Sequence, residues 1–169
     1  KKETEAKKQY ELALREVEKE PNYAYQIATA FEKRVLLDWA LKSYEIAQKA
    51  KPDLNFDYQI AMLQGQLGNL DLMLEKLLDY GYKNQENTAL IQNHLTRFLA
   101  DDATGSFAES IRKNLLLKIQ KSQDSYWNQS LSWLFVQQKE YGKAFIQEKA
   151  VYKRNPENFY NIVALGRLA

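Results

Sequence analysis

A single histidine, His94, and no cysteine are the chain's whole stock of the groups that most enzymes use for nucleophilic or zinc chemistry. A catalytic triad, a reactive thiol or a zinc centre needs His or Cys side chains brought together, so these classes are excluded. His94 stands beside the apolar stripe of Leu95 and Phe98 and reads as a solvent-facing residue. Asp101 and Asp102 near Gly105 suggest a calcium loop at first sight. They lack the alternating oxygen ligands and the distal Glu of that motif, which leaves a polar turn that caps the following helix. Carboxylate pairs such as Glu16 with Glu20, or Asp71 with Glu75, fall one helical turn apart among lysines and read as solvated faces, not as a shielded acid and base. No Gly-rich loop follows a strand, so a phosphate cradle is missing. These readings describe a chain that is not an enzyme and calls for no metal or cofactor.

Charge narrows the partners further. Lys and Arg number 24 against 22 Asp and Glu, a net charge of +2. The basic clusters Lys1-Lys2, Lys7-Lys8, Lys33-Arg34 and Lys153-Arg154 are each flanked by acids, so no single-sign field builds up. Nucleic acid is therefore not the expected partner, since helical repeats that read RNA tend to be markedly basic. Absence of cysteine leaves the redox compartment open. The apolar runs Leu115–Leu117 and Trp133–Val136 are far shorter than the roughly 20 residues that cross a bilayer. The chain opens at Lys1, not Met, and stops inside a helical pattern, which suggests a piece of a longer protein.

What would position any site is a succession of helices. Only 6 Gly and 3 Pro occur among 169 residues, too few turn-formers for a many-stranded sheet, while good helix formers dominate. Ala6, Tyr10, Ala13 and Val17 make an amphipathic first helix that ends before Pro21. A pair over 22–33 and 36–50 follows, with Ala24, Ile27, Ala28 and Phe31 on one helix and Ala40, Leu41, Tyr44 and Ala47 on the other. Pro52 stops it. The next pair carries Tyr58, Ala61, Gln64 and Leu67, turns at Gly68-Asn69, and continues with Leu70, Met73, Leu74, Leu77 and Leu78. Gly68 and Gly81 are both placed to take the left-handed conformation at a helix end. Residues 86–122 are less regular: two stripes, Leu90 to Leu99 and Phe107 to Ile119, flank the polar loop Ala100 to Ser106. The last full pair carries Trp127, Leu131 and Phe135, then Tyr141, Ala144, Phe145 and Val151, with Pro156 as its stop. A further helix begins near Glu157.

One phrase repeats: Ala40, Tyr44, Ala47, Pro52 on a second helix, echoed by Ala144, Val151 and Pro156. A small residue, an aromatic, a small residue and a proline at these spacings form the second half of a helix-turn-helix unit about 34 residues long. With Ile27-Ala28, Phe31, Ile60-Ala61, Gly68 and Leu165-Gly166 on the first helices, the chain resembles tetratricopeptide repeats from about residue 21 onward. Glu148 departs from the pattern by standing where an aromatic is expected.

The resemblance implies an all-α right-handed superhelix of antiparallel helix pairs: a helix over 1–20, pairs over 21–53, 54–85, 86–123 (irregular) and 124–157, and a truncated repeat over 158–169. It further implies a concave groove lined by inward positions of the first helices. Carried over, these are Asn22, Tyr25, Thr29, Asn55, Tyr58, Met62, Asn93, Arg97, Tyr126, Gln129, Trp133, Gln137, Tyr160 and Val163. Rings and amides of this kind suit a peptide or helix of a partner protein. The places where co-chaperone members clamp a carboxylate hold Tyr25, Thr29, Gln59, Glu86 and Leu90, so that clamp is missing. The function expected is a non-catalytic interaction scaffold. The alternatives are a structural spacer or a self-association module using the open last repeat, or the regulatory arm of a larger enzyme. The resemblance to Lys- and Asn-rich bacterial repeat proteins points to a periplasmic or cell-envelope setting.

Overall fold

A computed structural model describes residues 2–156 and 159–168. Among them the chain forms ten α-helices and no strand: α1 (Lys2–Lys19), α2 (Ala24–Glu32), α3 (Leu37–Ala50), α4 (Asp57–Gln66), α5 (Leu70–Lys83), α6 (Thr88–Ala100), α7 (Ser106–Lys121), α8 (Ser125–Gln137), α9 (Tyr141–Arg154) and α10 (Tyr160–Gly166). No helix among the described residues is long and apolar enough to cross a membrane. The chain divides into two compact units, Lys1–Asn84 and Gln85–Ala169. The division falls at the junction of the second and third expected pairs.

In the first unit α2 pairs with α3 and α4 with α5, and α1 lies against α3. Small residues make these approaches close. Ala24, Ala28, Ala40 and Ala47 are all fully buried, so a methyl group is the only spacer between helices at those points and a longer side chain would force them apart. Where the helices diverge, large side chains fill the space. Tyr10, Phe31 and Trp39 form a cluster with ring centroids 5.3 to 6.1 Å apart, and Tyr44 packs on Phe56 at 4.9 Å. Burial, followed by the Glu32 carboxylate, pushes the Tyr44 phenol up to about 12, while a hydrogen bond with Thr29 pulls it back. Met73, Leu74, Leu77 and Leu78 give α5 its buried face.

In the second unit α8 pairs with α9, α7 lies along α8, and α10 lies along α9. Ala144 on α9 is again fully buried, and Leu131, Leu134 and Phe135 are buried on α8. Contacts between α6 and α7 are sparse by comparison. The polar loop between these two helices caps α7, as its composition implied. Asp102 Oδ2 accepts from the Ala108 amide at 3.0 Å, and these backbone donors hold the Asp102 carboxyl below the usual carboxylate range.

The turns of the three close pairs share one geometry. The amide of Leu36 donates to the Phe31 carbonyl, that of Asn69 to Gln64 and that of Glu140 to Phe135. Each closes the end of the first helix around one left-handed residue, as in a Schellman motif. Gly68 takes that place in one turn, at φ 83°, but Val35 (58°) and Lys139 (59°) take it in the other two. Gly81, by contrast, does not end a helix. It is buried inside α5, and the end comes two residues later, where the Asn84 amide and its side-chain Nδ2 both donate to the Tyr80 carbonyl. His94 is half-buried on α6. Burial and then Arg97 hold its pKa below the ordinary value. The expected start of the last helix near Glu157 lies outside the described residues.

Val35 is 78% exposed, so replacing it removes strain and little packing. Val35→Gly is expected to raise stability by about 0.5–1 kcal/mol, the left-handed cost of roughly 1–2 kcal/mol less the entropy of the glycine. Gly68→Val should do the reverse; urea midpoints of the two variants check both signs. Because the Asp102 pKa is depressed in the folded state, its contribution is complete above the unfolded value of about 3.9 and is lost as pH falls through the folded value. Between pH 5 and pH 3 the urea midpoint should therefore fall more steeply in the wild type than in Asp102→Asn.

Candidate functional site

The sequence-derived groove positions separate into three kinds once their surroundings are seen. Some are engaged in local structure. Asn22 donates to Glu20 Oε1 at 2.6 Å and accepts from Lys51 Nζ at 3.4 Å, and Asn55 Oδ1 accepts from the Asp57 amide at the start of α4. Thr29 bonds to the Tyr44 hydroxyl. Tyr126 is 7% exposed; burial pushes its phenol up, and side-chain hydrogen bonds with Thr88 and Ser130 partly offset this. Its ring is core, with little surface left for a partner.

Others are on the surface or half-buried. In the first unit Tyr25 is 58% exposed, Tyr58 lies 5.6 Å from the Tyr80 ring, and Met62 is half-buried. In the second, Asn93, Arg97, Gln137, Tyr160 and Val163 are exposed.

Gln129 and Trp133 are the third kind. From α8 they open into a cleft of about 420 Å³, whose other walls come from Thr88 and Gln92 on α6, Glu148 on α9, and Asn161, Ala164, Leu165 and Leu168 on α10. All of these belong to the second unit. On α6 the lining residues are Thr88 and Gln92, the latter one position before the expected Asn93, whereas Asn93 and Arg97 do not line this cleft. The irregular stripe of this helix allowed either register, and its packing decides between them. Ser132, Val136 and Glu148 also line the cleft and were not expected to. Ser132 and Glu148 occupy positions that elsewhere in the repeat pattern are apolar core, so a sequence reading passes over them.

The cleft is amide-rich and apolar. Trp133 is half-buried, Gln129 exposed and Gln92 half-buried, and Leu165 closes one side at 6% exposure. Glu148 is 6% exposed, and its Oε2 accepts from Asn161 Nδ2 at 3.2 Å. Among the described residues no cluster of His, Cys, Asp or Glu could hold a metal ion.

A second cleft, of about 410 Å³, lies in the first unit between α3, α4 and α5 and is lined by Glu45, Gln48, Lys49, Ile60, Gln64, Leu72 and Lys76. No groove residue expected from the sequence belongs to it. Beside it the Asp57 carboxylate, 10% exposed, accepts from Gln48 Nε2 at 2.9 Å and lies 3.5 Å from Lys83 Nζ and 4.0 Å from Lys76 Nζ. An ionised carboxylate only accepts, so it fixes the Gln48 amide with Oε1 turned away, buried and without a hydrogen-bond partner.

The same polar arrangement recurs in the second unit with other residues. Asn128 Nδ2 donates to Gln147 Oε1 at 2.8 Å, and Asn128 Oδ1 accepts from Arg154 at 2.6 Å. These partners stand 19 and 26 residues along the chain, as Lys76 and Lys83 do from Asp57. Buried polar groups at this point are thus matched to partners on the paired helix, charge for charge in one unit and amide for guanidinium in the other.

Removing the Asn128 side chain leaves the Gln147 amide oxygen and the Arg154 guanidinium short of a partner. Asn128→Ala is expected to cost about 1–3 kcal/mol in urea unfolding, and Asn128→Asp, which copies Asp57 beside a cation, to cost less. No protein-family model and no curated protein matches this chain.

Proposed function

We propose that the chain is a non-catalytic scaffold of tetratricopeptide kind, and that the cleft of its second unit holds an extended peptide of a partner protein. The observation that carries this reading is the convergence of Gln129 and Trp133, both chosen from the repeat register alone, on one cleft with Thr88 and Gln92. The volume lies in the range of ligand clefts. Trp133 offers contact area at small entropy cost, and the amides of Gln92 and Gln129 match the main-chain groups of an extended guest. The repeat reading is supported by burial of Ala28, Ala40, Ala47, Ala144 and Leu165, the phrase positions on which the resemblance rests. Only helical pairs and apolar seams are needed for this work, and no catalytic group is assigned.

Self-association is the second reading. It is favoured by the exposure of Phe159 (56%), Tyr160 (77%) and Leu168 (55%) at and around α10. Sedimentation velocity over a wide concentration range separates the two, because the scaffold reading expects a monomer throughout.

In a pull-down with the intact protein, Gln129→Ala with Trp133→Ala should lose the partner while the far-UV circular dichroism stays unchanged. Tyr25→Ala with Tyr58→Ala, in the other unit, should retain it. Retention of every partner by the α8 double variant would end the reading.

A further inference from the structure

Glu148 is an unusual residue to find in the wall of this cleft. It belongs to α9 at the place where Tyr44 stands on α3 and Leu77 on α5, both almost fully buried core residues. At that place Glu148 too is removed from water, at 6% exposure. Its one polar partner among the described residues is Asn161, at 3.2 Å, and a neutral amide does not balance a carboxylate. Arg154, further along the same helix, is engaged by Asn128. The contrast with Asp57 is direct: that buried carboxylate has two lysines and a glutamine around it. Burying an uncompensated carboxylate is costly, and the cost falls sharply when a cation is brought to it. Trp133 lines the same cleft, and an indole face is the side chain that best attracts a guanidinium or ammonium group.

From this arrangement we infer that the cleft selects guests carrying a cation, the arginine or lysine side chain of a peptide, with Glu148 as counter-charge and Trp133 as the ring beside it. The inference rests on the peptide-holding reading above and names what the guest must carry. The guest's backbone lies along Gln92 and Gln129, and its basic side chain enters toward α9.

The test uses the intact protein and capped tripeptides Ac-Ala-X-Ala-NH2, in which X is arginine, lysine, norleucine or glutamate, followed through the Trp133 indole N–H resonance, which Trp133→Phe assigns. The arginine and lysine peptides should bind at least ~10-fold more tightly than norleucine, the scale of one close charge pair. Glu148→Gln and Glu148→Leu should both reduce them to the norleucine level. Glu148→Leu guards against misfolding, because Leu77 fills the corresponding place in the first unit; its melting temperature should equal or exceed that of the wild type. Equal binding of norleucine and arginine peptides overturns the inference, as does a cation preference that survives in Glu148→Leu. If uncharged peptides shift the indole as strongly as charged ones, and Gln129→Ala weakens that binding, the peptide-holding reading stands without this one. If no tripeptide shifts the indole, both fall.

Discussion

Close packing of α8 on α9 is the constraint from which the rest of the second unit follows. Ala144 is fully buried on α9, and the stripe of Leu131, Leu134 and Phe135 is buried on α8, the helix paired with it. A helix that buries this stripe must present its opposite side elsewhere. Gln129 and Trp133 are on that side, so the cleft exists because the seam is tight. The same logic holds α2 on α3 in the first unit through Ala28, Ala40 and Ala47. There, however, the inward residues meet their own neighbours: Thr29 reaches Tyr44, and Tyr58 reaches Tyr80.

Polar groups in the two seams show how far one geometry tolerates different chemistry. Asp57 and Asn128 occupy matching places, and the helix paired with each supplies lysines or a glutamine with an arginine at matching distances along the chain. Buried charge is acceptable where a partner is built in. Glu148 occupies a position with no such built-in cation, which is why the unevenness falls at the cleft and not in the core.

Helix order, the stripes and the phrase Ala40, Tyr44, Ala47 were readable because apolar periodicity and small-residue spacing are local signals. The capping role of the loop before α7 was readable for the same reason. Two of the three left-handed turn residues were not, since valine and lysine carry none of glycine's conformational signature and are held there by hydrogen bonds that span five residues. Gly81 misled in the opposite sense: a glycine inside a buried helix face resembles a helix end until packing is known. Of the site, Gln129 and Trp133 were legible from register. Thr88, Gln92 and Glu148 were not, because the weak stripe of α6 admits two registers and because a glutamate on a core position gives no hint that it is buried. The division at Asn84–Gln85 reflects contacts between helices, which no local pattern encodes.

The convergence of α6, α8 and α10 on one cleft is the claim on which the functional reading stands, and the absence of native cysteine makes it directly measurable. A nitroxide attached to Gln92→Cys on α6 should broaden the Trp133 indole and the Ala164 and Leu165 methyl resonances much more strongly than the same label at Lys113→Cys on α7. Equal or weaker broadening from the α6 label would contradict the account.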